Sequence, residues 1–204
     1  MNVSLFKVGA FALLVITASG CAGHSATANA KALYAAAARH DPRGKPYVIG
    51  VADVVRVSVW KDQSLSTDAI VRPDGTITMP LVGDLRAAGR TTAELQADAT
   101  QRLATVVKDA SVTVSVTEVN SYRFSVAGNV AHPGLFTSRY YLTVSQALAL
   151  AGGPSRYADT DEIVVVRDMD GWRVRIPVNY DDILAGKAHE QDFAILAGDS
   201  VQVP

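Results

Sequence analysis

The sequence holds one cysteine, four histidines and a few closely spaced carboxylates, each a chemistry that its spacing must support. Cys21 cannot form a disulfide within the chain, and it directly follows the small residues Ala18-Ser19-Gly20. His24, His40, His132 and His189 are scattered, with no i, i+4 pair to set two imidazoles on one helix face, so metal ligation is not expected. Asp168-Met-Asp170 could hold a metal, but Gly171 follows and the run reads as a hairpin turn. Asp181-Asp182 are adjacent, whereas glycoside hydrolysis needs two carboxyls facing across a sugar at about 5–9.5 Å, so a solvated loop is the simpler reading. Tyr140-Tyr141 and Trp172 could stack on sugars, yet core or interface packing is the commoner use of such side chains. Without an acid, base or nucleophile constellation, neither catalysis nor a cofactor is expected.

Composition narrows the classes further. With 204 residues, 49% of them hydrophobic, the chain can build real cores, and a net charge of -1 gives none of the field that a phosphate backbone requires. Nucleic acid is therefore not an expected partner. Residues 1–20 carry Lys7 and then an uncharged stretch from Val8 to Ala18, which reads as a secretion signal. As a helix that stretch would reach roughly 16 Å at ~1.5 Å per residue, short of a ~30 Å hydrocarbon core. Ala18-Ser19-Gly20-Cys21 resembles a bacterial lipobox, with Ala18 where leucine is commoner, and this implies lipidation of Cys21 as the mature N-terminus. The alternative is a buried cysteine in an exported soluble protein. Ala22 after the cysteine, instead of Asp, implies sorting to the outer membrane of a Gram-negative bacterium.

Residues 21–46 are Ala-rich and end in Pro42-Arg-Gly-Lys-Pro46, which suggests a lipidated tether in which Lys31–Arg39 makes at most a marginal helix. From Tyr47 the pattern changes. Val54-Val-Arg-Val-Ser-Val59 alternates as a strand running into Trp60, and Lys61–Ser64 reads as a polar turn. Ala69–Asp84 predicts a hairpin reversed at Arg72-Pro73-Asp74-Gly75, with the return strand ended at Met79-Pro80 before Gly83. Arg72 and Asp74 are expected to be exposed at a subunit boundary. Thr91-Thr-Ala-Glu94 is a capping box for a helix running to about Val107, with Leu95, Ala99, Leu103, Val106 and Val107 on its core face. Lys108-Asp109 closes it, and Val112, Val114 and Val116 alternate along a further strand.

A second unit opens with a strand from Tyr122 to Val130, then the turn His132-Pro133-Gly134. Thr143 and Gln146 form another capping box, and Gly152-Gly153-Pro154 stops the helix Val144–Ala151. Ile163–Arg167 and Trp172–Val178 flank the Asp170-Gly171 turn, and Ser200–Val203 follows the turn Ala197-Gly198-Asp199. The fold class is thus α+β, with domains at 47–120 and 121–204, the second β-grasp-like.

In order, Tyr47–Trp60, Val71–Gly75, Met79–Gly83 and Asp109–Val114 resemble the polysaccharide-export domain of outer-membrane polysaccharide export lipoproteins. Gly128–Gly134, Ala149–Gly153, Ile163–Arg167 and Ala197–Pro204 resemble the soluble-ligand-binding β-grasp domain of that family. The resemblance makes Asp53, Trp60, Arg72, Pro73, Asp74, Gly75, Pro80, Gly83, Gly128, Pro133, Gly134, Gly152, Gly153, Gly198 and Asp199 structural motif positions. It departs at Gly50-Val-Ala-Asp53, where Ala52 replaces a glycine and a differently shaped turn is expected. It also implies export of capsular polysaccharide or exopolysaccharide through a homo-oligomeric ring, the closed form that identical head-to-tail contacts produce. The implied partners are an inner-membrane polysaccharide co-polymerase and a separate outer-membrane β-barrel, because the chain reads as a short member without a membrane-spanning C-terminal helix. The implied place is the outer membrane, lipid-anchored and facing the periplasm. A carbohydrate-binding envelope lipoprotein that transports nothing is the alternative.

Overall fold

The computed structural model describes residues 22–108, 110–169 and 171–204. Residues 1–20, where a signal segment is expected, and Cys21, Asp109 and Asp170 lie outside the described residues.

The first domain is a three-stranded antiparallel sheet, a two-stranded ribbon and one helix. Strands β1 (Val54–Val59) and β2 (Asp62–Ile70) pair with β5 (Val112–Glu118) in the order β2-β1-β5, while β3 (Thr76–Met79) pairs with β4 (Gly83–Arg86). The period of two in β1 sends Val55, Val57 and Val59 inward and leaves Arg56 and Ser58 on the opposite face. Burying each valine stabilises the domain by about 1.5–3 kcal/mol. Helix α2 (Thr92–Leu103), preceded in the chain by α1 (Ala22–Arg39), covers the inner face with Leu95, Ala99 and Leu103. Thr91 caps it as expected: its Oγ1 accepts from the Glu94 N–H, and the Glu94 carboxylate accepts from the Thr91 N–H.

Three expectations for this domain change. The Arg72–Gly75 turn does not fold β2 back onto β3. It hands the chain from one sheet to the other, because β2 is already paired along β1 through a turn at Trp60-Lys61, with Lys61 at φ 63°. Ile70 is accordingly exposed and Ile77 buried, so they share no face. The polar turn expected at 61–64 shrinks to that two-residue reversal, and β2 begins at Asp62. The helix ends at Leu103, followed by tight turns in which Val106 N–H donates to the Leu103 carbonyl, and Val106 points to solvent.

The second domain is one five-stranded sheet in the order β7-β6-β10-β8-β9, built from β6 (Arg123–Gly128), β7 (Gly134–Thr137), β8 (Ile163–Met169), β9 (Trp172–Val178) and β10 (Ser200–Val203). β10 runs parallel to β6 and antiparallel to β8. Helix α3 (Val144–Leu150) buries Val144, Ala147 and Leu148 in the same core as Phe124, Val165 and Ile176, and the Thr143/Gln146 capping box is present. Its Leu150 faces solvent, so the helix, largely apolar apart from Ser145 and Gln146, is buried on one side only. Asp181 and Asp182 sit in the first turn of a short helix, α4 (Tyr180–Leu184), not in a loop. The Asn179 side chain caps that turn by accepting from the Asp182 N–H, and both carboxylates favour a helix N-terminus.

The N-terminal segment also differs from a free tether. It forms helix α1 (Ala22–Arg39), in which Leu33, Tyr34 and Ala37 pack on the core of the second domain. The Tyr34 hydroxyl donates to the Pro177 carbonyl at 2.9 Å. An isolated Ala-rich helix is marginal, but contacts of this kind supply what propensity lacks.

Candidate functional site

Where the two domains meet, one carboxylate organises the chain. Asp53 follows the turn Gly50-Val-Ala52, is fully buried, and accepts hydrogen bonds on both oxygens. Oδ1 takes the N–H groups of Asn120 and Ser121 at 2.8 Å each, from the segment between β5 and β6. Oδ2 takes the Tyr47 hydroxyl at 2.6 Å, the Gly50 N–H at 2.8 Å and the Ser121 hydroxyl at 3.1 Å. Gly50 has no alternative here, because a Cβ would overlap the Ser121 side chain. Ala52 keeps the left-handed conformation a glycine would take, at φ 75°, so the turn retains the shape that glycine favours despite the substitution.

Burial, followed by the hydrogen bond to Asp53, holds the Tyr47 phenol well above its ordinary range. A raised acid contributes stability that is complete below its unfolded pKa of about 10 and is lost as the pH climbs toward the folded value. We expect stability to fall above about pH 10, and Tyr47→Phe to flatten that fall while costing about 1 kcal/mol at neutral pH. Urea titrations at a series of alkaline pH values measure both effects.

A second buried centre was not foreseen. Arg167 shares the inward parity of Ile163 and Val165 on β8, and its guanidinium meets Asp199 at 2.6 Å with both residues only 2% exposed. Arg167 also donates to the Ala194 carbonyl and lies over the Phe193 ring, while Asp199 accepts the Leu196 N–H, closing the turn before β10. The readable signal was an arginine at an inward position of an otherwise apolar strand, a placement that demands a buried partner.

The remaining motif positions are dispersed and architectural. Arg72 is turned back on its own ribbon, 2.8 Å from Asp84 and 3.4 Å from Asp74, beside Thr76 and Thr78. Hydrogen bonding from Arg72, then from Thr78, holds Asp84 below the usual carboxylate range; Thr76 does the same for Asp74. Pro73 and Gly75 shape that turn, with Gly75 donating to the Arg72 carbonyl; Pro80 and Gly83 flank the β3-β4 reversal. Pro133 and Gly134 lead into β7, and the preceding His132 N–H donates to the Ala151 carbonyl, beside Gly152 and Gly153 at the end of α3. Gly198 lies in the Asp199 turn. Gly128, at φ 94°, is pressed against the Val203 carbonyl, so Gly128→Ala is expected to cost about 1–3 kcal/mol and lower the midpoint of thermal unfolding.

Exposed aromatics complete the surface. Trp60, Tyr140 and Trp172 are 73%, 76% and 78% exposed, whereas Tyr141 packs edge-on against Tyr122. Among the described residues no group of three or more His, Cys, Asp or Glu is placed to hold a metal, and no helix is long and apolar enough to cross a membrane.

Comparison with known proteins follows the same two-domain division. Residues 41–117 match the family model described as polysaccharide biosynthesis/export protein, and residues 123–177 match the SLBB domain. The chain carries a polysaccharide biosynthesis/export domain followed by an SLBB domain. Its relatives include the EPS I polysaccharide export outer membrane protein EpsA of Ralstonia solanacearum, 29% identical over 66% of this chain and 42% of the relative. The polysialic acid transport protein KpsD of Escherichia coli is 32% identical over 77% of this chain and 28% of its own. The exopolysaccharide production protein ExoF of Rhizobium meliloti is 31% identical over 56% of this chain and 30% of its own. The chain thus spans less than half the length of these relatives. The expected α+β class holds, with the two matched domains in succession.

Proposed function

We propose that this protein is a non-enzymatic component of a capsular polysaccharide or exopolysaccharide export machine, contributing to an oligomeric periplasmic conduit. The observation that carries the reading is the succession of an export domain and an SLBB domain in one chain, matched by relatives named for polysaccharide export and transport. A conduit must hold a hydrated polymer weakly enough to release it. The open depressions on the outer sheet face of the first domain suit that task better than a deep aromatic trap would.

In this reading Cys21 carries the lipid that attaches the protein to the outer membrane on its periplasmic side, where several acyl chains at ~0.8 kcal/mol per buried methylene make attachment firm. An inner-membrane co-polymerase would deliver the polymer, and an outer-membrane β-barrel would receive it. Deletion of the gene is expected to abolish secreted polymer, with export restored by the wild-type chain. Normal secretion after deletion would overturn the proposal and leave a non-transporting carbohydrate-binding lipoprotein. Cys21→Ser is expected to release the protein from the membrane fraction; retention there contradicts the anchor.

A further inference from the structure

Among the described residues nothing covers the outer face of the β2-β1-β5 sheet, which is polar along its middle, from Arg56 and Asp68 to Ser58 and Ser66, with Val54 and the exposed Ile70 at one end and Trp60 at the other. Arg56 on β1 forms a two-pronged ion pair with Asp68 on β2, at 2.6 and 2.7 Å, so the face carries these charges as a neutral unit. Beside this pair a depression of about 370 Å³ includes Ser58, Gln63 and Ser66. It adjoins a second of about 410 Å³ that shares those three residues and ends at the exposed indole of Trp60. From Arg56 to Trp60 the strip runs about 13 Å at ~3.3 Å per residue, room for a few sugar rings.

From this geometry we propose that the strip is a contact site for the exported polysaccharide, an assignment that rests on the export role above. Three features select a saccharide over other occupants. The Gln63 amide can donate and accept toward vicinal hydroxyls, the Arg56–Asp68 pair keeps its Nη1 donors and its remaining carboxylate lone pairs for single hydrogen bonds, and the Ser58 hydroxyl donates or accepts as required. Trp60 offers a flat apolar surface for the C–H face of a ring at the end of the strip. A protein interface, by contrast, has an apolar core, whereas here Ile70 and Trp60 stand at opposite ends of a polar strip, and with Arg56 paired to Asp68 the single Lys61 beside Trp60 makes no basic patch for a phosphate polymer. The strip is open and shallow, so binding is weak and the chain can slide along it.

The test uses the full chain in detergent, with Trp172→Phe leaving Trp60 as the sole tryptophan, titrated with oligosaccharides cut from the polymer that the host strain secretes. Saturable quenching of Trp60 with a dissociation constant near ~1 mM is expected, weakened about threefold to tenfold by Gln63→Ala. Trp60 and Gln63 are exposed, so both substitutions should leave the melting temperature unchanged. No saturable change up to ~10 mM, or affinity unaltered by Gln63→Ala, overturns the site. In cells, Trp60→Ala with Gln63→Ala is expected to reduce export. Full export by that variant in a strain whose deletion abolishes export overturns the site and leaves the export role standing, whereas normal export by the deletion strain itself removes the role.

Discussion

Asp53→Ala is expected to lower the stability of the protein by about 3–5 kcal/mol, since each buried donor left without a partner costs about 1–3 kcal/mol. Three backbone donors are at stake, the N–H groups of Gly50, Asn120 and Ser121, and their positions are fixed by the strands and turn that carry them. A total stability of 5–15 kcal/mol makes this a large fraction, and a fall in melting temperature of roughly 10 °C follows for a chain of this size. Asp53→Asn tests the cause. Both carboxylate oxygens face backbone N–H donors, so either orientation of the amide sets its own N–H₂ against one of them. Asparagine should therefore recover only part of the loss. Hydrogen exchange adds a local readout, because protection at Asn120 and Ser121 should fall before protection in the strands on either side. A melting temperature unchanged in Asp53→Ala would show that the junction is held by something else.

The second large effect is expected in the other domain. Asp199→Ala leaves the Arg167 guanidinium buried without its counter-charge, and breaking such a pair on one side costs about 3–5 kcal/mol. Replacing both members is different in kind, because the desolvated charge is then gone. Arg167→Met with Asp199→Asn keeps an acceptor for the Leu196 N–H and should be more stable than the sum of the two single substitutions predicts, with a coupling energy of at least about 1 kcal/mol. Denaturant unfolding followed by Trp172 fluorescence, in a Trp60→Phe background, reports on this domain. Strict additivity of the two substitutions would contradict the pairing.

These two centres show what kind of information the sequence carries openly. The alternation of valines in β1, the Thr91 and Thr143 capping boxes and the glycine stop after α3 are local patterns, and each forms the element it predicts. The hairpin at Arg72-Pro-Asp-Gly75 failed for a non-local reason. A turn motif states that the chain reverses, but which strands pair depends on what each edge has already met, and β2 had met β1. The same logic applies to α1, whose alanine-rich sequence gives a marginal helix until Leu33, Tyr34 and Ala37 find the second domain.

The site was legible in fragments. Asp53 stood out by resemblance, but nothing near it in sequence names Asn120 and Ser121, which lie beyond an intervening sheet and helix. Arg167 could have been found from its parity on β8, although its partner, thirty-two residues on, could not. Arg72 and Asp74 are exposed, as the turn sequence suggests, but sequence alone does not reveal Asp84 folding back to pair with Arg72.

Electron microscopy of the full protein, extracted from membranes in detergent, tests the proposed closed conduit most directly. The account predicts rings of identical subunits around an axial opening. Particles that remain monomeric, both alone and with the membrane partners present, would contradict it.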